Sequence, residues 1–182
     1  MSIGKTLDHF IGDPLRELQG TRRCTTPEKL YAYMRGKDYD DLQFYVETRF
    51  WYVSDNTPAD EWTPMTAVLA RDVYGNKIQT DCEERCVTRK NVVNVLGWGL
   101  SKNLCVYGRD AKGEPWGHAV CVVWDKKAFL VMDYTMRRFP AGAEITGVIK
   151  TLWPSATHYC FRDDSGKAIS GVTLLPGVRL TV

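Results

Sequence analysis

Two nearly continuous apolar runs, separated by three charged residues, constrain the fold of this chain more than any other feature. The runs extend from His118 to Trp124 and from Phe129 to Tyr134, with Asp125-Lys126-Lys127 between them. Short apolar runs that are rich in β-branched and aromatic residues are typical of strands covered on both faces. The pattern therefore predicts two neighbouring antiparallel strands near the centre of a sheet.

A helix is predicted before these strands, from Thr80 to Gly97. Thr80 and Glu83 have the spacing of a capping box, in which each side chain satisfies a free backbone N–H group at the helix start. This assignment places Cys82 in the first turn. The predicted apolar face of the helix contains Cys82, Cys86, Val93 and Leu96.

Shorter segments complete an α+β pattern. Residues 27–36 are predicted to form a helix with Thr26 as its N-cap, and residues 42–53 fit either a helix or a strand. Residues 104–108 are predicted to form a strand, and residues 169–182 one or two more. A helix followed by antiparallel strands is typical of an α+β domain, and 182 residues suit one domain spanning 1–182.

Composition and charge exclude several classes of protein. The formal net charge is +2 and the basic residues are scattered, so a nucleic-acid partner is not expected. No apolar run approaches the roughly 20 residues of a membrane span. Charged residues interrupt the segment Met1–Gly20, which therefore does not resemble a signal peptide. We expect a cytoplasmic or phage-encoded protein, or a periplasmic one if a leader was removed.

The six cysteines are predicted to be reduced thiols. A chain of this length, with 44% hydrophobic residues, does not need disulfides to stabilise its core. The cysteines are Cys24, Cys82, Cys86, Cys105, Cys121 and Cys160.

Three residues have the chemistry of a nucleophilic site. A cysteine at a helix N-terminus has its thiolate stabilised by the helix dipole, which suits Cys82 as a nucleophile. If a two-residue loop at Asp125-Lys126 closes the hairpin, His118 and Asp133 become direct cross-strand neighbours. Each of the three alone has an ordinary structural explanation, as a packed cysteine, a satisfied histidine or a strand-end carboxylate. Together they favour a Cys-His-Asp triad.

Four short motifs over residues 45–135 resemble the bacterial transglutaminase-like cysteine proteinases. The motifs, in chain order, are Trp62-Thr63-Pro64, Thr80-Asp81-Cys82-Glu83-Glu84, Gly117-His118-Ala119-Val120 and Val131-Met132-Asp133. The resemblance implies a papain-like or transglutaminase-like fold, with the cysteine-bearing helix packed on an antiparallel sheet. It also implies that Cys82 is the nucleophile, His118 the general base and acid, and Asp133 the residue that orients the imidazole.

The resemblance also suggests an oxyanion hole and a calcium site. The backbone N–H of Cys82, the Gln79 side chain and the Trp62 indole are candidate oxyanion donors. Some relatives bind calcium beside the catalytic cysteine, and Asp81, Glu83 and Glu84 offer the oxygen ligands that calcium prefers. Acidic residues are also common at a helix N-terminus without any metal.

We therefore predict a cysteine peptidase that needs no cofactor, apart from possible calcium, and acts on a protein or peptide. Two alternatives stay open: a transglutaminase-like acyltransferase, in which an amine replaces water, and a non-catalytic transglutaminase-like binding module. Such modules often lose the cysteine or the histidine, and this chain keeps both. The tryptophans are candidates for lining a groove as well as for the core: Trp51, Trp62, Trp98, Trp116, Trp124 and Trp153.

Overall fold

The computed structural model describes residues 24–53, 62–71 and 78–177 of the chain. The helices are α1 (Pro27–Met34), α2 (Tyr39–Arg49), α3 (Met65–Ala70), α4 (Cys82–Val95) and α5 (Ile145–Leu152). The strands are β1 (Phe50–Tyr52), β2 (Ile78–Thr80), β3 (Leu100–Arg109), β4 (Pro115–Trp124), β5 (Ala128–Met132), β6 (Met136–Pro140), β7 (Ala156–Arg162) and β8 (Thr173–Leu174).

A six-stranded antiparallel sheet organises these elements, in the order β6-β5-β4-β3-β7-β8. The short strands β1 and β2 form a separate parallel pair. Helix α4, which begins at Cys82, packs against β3 and β4. The predicted α+β class, with a cysteine-bearing helix on an antiparallel sheet, is confirmed.

The sheet separates two apolar clusters. On the α4 side, helices α1 to α4 pack against sheet residues that include Cys105, Ala119, Cys121, Leu130 and Met132. On the other side, α5 packs against a second set that includes Leu104, Val106, Val120, Val122, Phe129 and Val131. Neighbouring residues of one strand thus belong to opposite clusters, as the two-residue period of a strand requires. The central strands are covered on both faces, as their apolar sequences predict.

The other segments agree with the sequence in part. Helix α1 has Thr26 as its N-cap, as predicted, and the undecided segment 42–53 contains the end of α2 followed by β1. The tail contributes β8, whereas residues 178–182 lie outside the described residues, as does the segment Met1–Gly20. Strands β3 and β4 are longer than predicted, and five elements are not among those predicted: α3, β2, β6, α5 and β7.

All six cysteines are free thiols, and five of them are buried. Among the helices of the described residues, none combines the length and apolar character that crossing a bilayer requires.

Candidate active site

The start of α4 positions Cys82, one residue away from where the sequence placed the cap. The N-cap is Asp81: its carboxylate accepts a hydrogen bond from the backbone N–H of Glu84 at 2.9 Å. The Glu84 carboxylate accepts one in return from the backbone N–H of Asp81 at 3.3 Å. The predicted Thr80–Glu83 capping box is therefore wrong, because Thr80 is the last residue of β2 and its hydroxyl accepts from Arg85 Nε at 3.2 Å. Cys82 is the first helical residue, where the helix dipole favours a negative charge.

The surroundings of the Cys82 thiol oppose that dipole. The side chain is half-buried, and Sγ donates a hydrogen bond to Glu83 Oε2 at 3.1 Å. Burial raises the pKa of the Cys82 thiol, and the nearby Glu83 carboxylate raises it further, whereas the backbone N–H of Ala119 acts in the opposite direction. The sequence-based expectation of a pKa lowered by the helix dipole is therefore not met in this state. These surroundings favour the protonated thiol over the thiolate.

His118 and Asp133 form a hydrogen-bonded pair. His118 Nε2 lies 2.9 Å from Asp133 Oδ1, and the two side chains are 15% and 24% exposed. A carboxylate that accepts from Nε2–H leaves Nδ1 of a neutral imidazole as the acceptor, which is the nitrogen available to a general base.

The strand register that brings this pair together differs from the predicted one. Strands β4 and β5 pair Cys121 with Met132 and Trp124 with Phe129, so residues 125–127 connect the two strands. The loop is longer than two residues, since the N–H of Asp125 bonds the carbonyl of Ala128 at 3.0 Å. The predicted direct pairing of His118 with Asp133 is therefore wrong. The contact is made diagonally, because a shift of two residues leaves a side chain on the same face of the sheet.

Ala119 connects this pair with the cysteine. Its backbone N–H is directed at the Cys82 sulfur, and its side chain lies in the apolar cluster on the α4 side. His118 precedes it on β4, and its ring contacts Trp153 at the end of α5. Within the described residues, Cys82 and His118 share no hydrogen bond. The structure thus pairs two of the predicted triad residues and places the third against the residue that follows His118.

Two aromatic rings hold the imidazole. Tyr134 stacks on His118 with ring centroids 5.9 Å apart and an interplanar angle of 11°, and Trp153 meets it edge-on at 6.0 Å. Tyr134 also packs against Tyr52, and the Arg85 guanidinium lies 5.7 Å from both tyrosine rings. The orientation of His118 is therefore fixed by ring packing as well as by Asp133.

Two polar side chains from distant helices fix the backbone at Asp133. Gln43 Nε2 and Arg89 Nη2 both donate to the Asp133 carbonyl, at 2.6 and 2.9 Å. Arg89 is buried and forms an ion pair with Glu47 at 2.5 Å, and Arg85 binds the other oxygen of Glu47 at 2.9 Å. Arg89 thus links the helix that begins at Cys82 to the residue that orients His118.

The predicted oxyanion donors are placed as follows. The Gln79 side chain is exposed on β2, and the backbone carbonyl of Gln79 accepts a hydrogen bond from Arg71 Nη1. The Trp62 indole is buried against Gly166, and its Nε1 atom has no hydrogen-bond partner. The backbone N–H of Cys82 lies at the helix start, where such groups have no helical partner. All three donors stay predictions.

The carboxylates proposed for calcium are already engaged. Asp81 and Glu84 cap the helix, Glu84 also pairs with Arg71 at 2.8 Å, and Glu83 accepts from Cys82. Among the described residues, no group of three or more His, Cys, Asp or Glu side chains is placed to hold a metal ion. In this structure the three carboxylates serve as helix caps and hydrogen-bond acceptors, and calcium binding by them stays a prediction.

A surface cleft of about 570 Å³ begins at the His118–Asp133 pair. Its walls are formed by the start of β4, the end of β5 and the end of α5. The lining residues are Trp116, Gly117, His118, Asp133, Tyr134, Leu152, Trp153, Pro154 and Ser155. Two of the six tryptophans thus line a cleft, as the sequence suggested that some would.

Comparison with known proteins finds similarity at the level of solved structures. No protein-family model matches the chain, and no curated protein matches it. A structure of LapG from Legionella pneumophila is 15% identical, with a TM-score of 0.44, and the match covers 80% of this chain and 74% of LapG. Its calcium-bound form is also 15% identical, with a TM-score of 0.43 and coverages of 94% and 88%. The EGTA-treated form is 15% identical, with a TM-score of 0.45 and coverages of 83% and 75%.

These neighbours are of the transglutaminase-like kind that the sequence motifs resemble. With TM-scores below 0.5, they carry no argument about individual residues of this chain. The site is defined by the geometry of its own side chains.

Proposed function

We propose that this chain is a cysteine peptidase that cleaves peptide bonds through a thioacyl-enzyme intermediate. Cys82 is the nucleophile, His118 the general base and acid, and Asp133 the residue that orients the imidazole. The observation that carries the proposal is the 2.9 Å contact between His118 and Asp133, next to Ala119, whose backbone N–H is directed at the sulfur of Cys82 at the start of α4. A base oriented by a carboxylate next to a thiol is the arrangement that nucleophilic catalysis requires.

The proposed reaction begins with proton transfer from the Cys82 thiol to Nδ1 of His118. The sulfur bonds to the carbonyl carbon of the scissile amide, and the carbonyl π electrons move to oxygen. The imidazolium then gives its proton to the amide nitrogen, the C–N bond breaks, and the amine leaves a thioester on Cys82. Water adds to the thioester and gives a proton to His118, which returns it to the departing sulfur.

Glu83 defines the resting state in this scheme. Its carboxylate accepts the thiol proton in a hydrogen bond, and its charge raises the pKa of Cys82. The sulfur therefore has to turn from Glu83 toward His118 before it attacks. This favours proton transfer during the reaction over an ion pair formed beforehand.

The test is the rate of Cys82 alkylation by iodoacetamide across pH, read by peptide mass spectrometry, with hydrolysis of fluorescein-labelled casein measured in parallel. We expect His118→Ala to slow labelling of Cys82 and to abolish hydrolysis. His158→Ala is the matched control, because His158 is also a half-buried histidine of this sheet but stacks on Tyr107. Equal labelling rates in wild type and both variants, without hydrolysis, would overturn the proposal in favour of a binding module.

A further inference from the structure

We propose that the cleft beside His118 binds an aromatic side chain of the substrate on the leaving-amine side of the scissile bond. This inference rests on the proposed function and adds a substrate class to it. It follows from where the cleft lies, what lines it and how its walls are held.

The position of the cleft assigns the side of the bond. His118 and Asp133 lie in its wall, together with Leu152 and Trp153 from the end of α5. Cys82 packs on the opposite, α4-facing cluster. In acyl transfer through an imidazole, the ring that takes the proton of the nucleophile delivers it to the leaving nitrogen. The leaving part of the substrate therefore lies on the imidazole side, which is where this cleft begins.

The lining of the cleft selects an aromatic group. Trp116, Tyr134 and Trp153 supply three large rings, and Leu152 and Pro154 add aliphatic surface. His118 and Asp133 already bind each other in the lining, through Nε2 and Oδ1. A charged side chain would lose hydration against the rings, whereas an aromatic side chain could pack edge-on or offset against them.

The walls are formed before substrate arrives. A Cβ atom added at Gly108 would lie 2.5 Å from the Trp116 ring and 2.6 Å from the Ser155 carbonyl, so the Trp116 ring rests directly on backbone. The backbone N–H of Trp153 bonds the carbonyl of Ile149 at 2.7 Å, and Gln43 holds the carbonyl of Tyr134. Preformed walls keep the entropic cost of binding low.

The first experiment measures binding without catalysis. The Cys82→Ala protein is titrated with phenylalaninamide, alaninamide and lysinamide, which mimic leaving fragments, and binding is followed by saturation-transfer NMR. We expect phenylalaninamide to bind at least about tenfold more tightly than alaninamide, the gain that burying most of a benzyl group gives. Equal affinity for phenylalaninamide and alaninamide would overturn the inference.

A charge placed in the cleft should invert the preference. Ser155 is exposed at the cleft wall, so Ser155→Asp adds a carboxylate with little effect on folding. We expect this variant to favour lysinamide over phenylalaninamide. Ala141→Asp adds the same charge at an exposed position outside the cleft and should keep the wild-type ranking. An unchanged ranking in Ser155→Asp would mean that the ligand binds elsewhere.

The two proposals fail in different ways. Cleavage of peptides by wild-type protein without any preference for an aromatic residue after the scissile bond would remove the inference and leave the peptidase. Ring-selective binding by Cys82→Ala that Ser155→Asp reverses, with no hydrolysis by wild type, would support the cleft and remove the peptidase.

Discussion

The two faces of the central sheet differ in how they are held together. All seven buried polar or charged side chains of the described residues lie in α4 or in strands next to it: Thr80, Glu84, Arg85, Thr88, Arg89, Ser101 and Asn103. The opposite face packs α5 through apolar side chains such as Val148 and Ile149. Hydrogen bonds have strict directions and fix one geometry, whereas apolar contacts tolerate small adjustments.

The two faces of the sheet therefore contribute differently to the site. The polar face determines where the first residue of α4 lies relative to Asp133, because Arg89 joins the helix to that residue. The apolar face contributes burial and ends in the aromatic cleft. Placement of Cys82, the proposed nucleophile, thus depends on directional bonds, and the proposed substrate contact depends on shape.

The largest expected effect comes from removing the proposed nucleophile. Cys82→Ala should reduce peptide hydrolysis by about a thousandfold or more, because the base and the carboxylate that orients it cannot form the thioester without the thiol. Cys86→Ala changes a buried cysteine one turn later in the same helix and should leave the turnover number largely intact. Steady-state hydrolysis measures both. Similar losses of hydrolysis in the two variants would mean that Cys82, like Cys86, contributes only to the stability of the fold.

The next largest effect tests the buried ion pairs of the polar face. Glu47→Gln leaves the guanidinium groups of Arg85 and Arg89, which are 5% and 3% exposed, without their carboxylate. We expect the free energy of unfolding to fall by about 3 kcal/mol, the low end of the range for unpaired buried charges because Glu47 itself is partly exposed. Urea denaturation measures the change.

An exposed pair supplies the control for that experiment. Arg138 and Asp40 form an ion pair of similar length, 2.8 Å, but their side chains are 49% and 64% exposed. Asp40→Asn should change the free energy of unfolding by less than about 1 kcal/mol. If both substitutions had the same small effect, the polar face would not be the rigid one.

A smaller effect is expected on the apolar face. Ile149→Val removes one methyl group from a fully buried side chain of α5 and should lower the free energy of unfolding by about 1 kcal/mol. Ile169→Val makes the same change at a side chain that is 56% exposed and should have almost no effect. Thermal and urea unfolding measure both. If Ile149→Val lowered the free energy of unfolding as much as Glu47→Gln, the two faces would not differ in the way proposed.

The smallest effect concerns the thiol itself. Glu83→Gln removes the negative charge beside Cys82 but keeps an oxygen that can accept the thiol hydrogen bond. Because that charge raises the pKa of Cys82, its removal should lower the pKa and speed alkylation at neutral pH by a few-fold. Glu28→Gln makes the same change in the first turn of α1 and should leave the rate unaltered. Unchanged labelling in both variants would show that Glu83 does not govern the thiol.

The contact between His118 and Asp133 was predicted from the sequence, although the predicted strand register is wrong. The loop after β4 is longer than expected, which shifts the strand pairing by two residues. Side chains alternate with a period of two, so the two residues stay on one face and meet diagonally. A shift of one residue would have separated them.

The N-cap of α4 could not be predicted from the local sequence alone. Thr80–Glu83 and Asp81–Glu84 have the same spacing, and propensity alone does not choose between them. The choice is made by the pairing of β2 with β1, which includes Thr80 in the strand. Helix α5 is different, because its sequence carries a helical pattern that is sufficient to predict it. The apolar positions that follow the helical period are Ile145, Val148, Ile149 and Leu152.

The two residues that bind the Asp133 carbonyl cannot be identified from local sequence patterns. Gln43 and Arg89 are 90 and 44 residues distant from it along the chain. Both are ordinary helix-forming polar residues in their own segments. Their role arises only when α2, α4 and the end of β5 come together, which is a property of tertiary packing.

The edge-on contact between Trp153 and His118 gives the site an optical reporter of its own. The indole and imidazole rings are 6.0 Å apart, close enough for a charge on the imidazole to act on the electronic states of the indole. Emission from Trp153, obtained as the difference between wild type and Trp153→Phe, should therefore change as His118 gains or loses its proton. Such a signal would follow the proposed general base in real time, without an added dye.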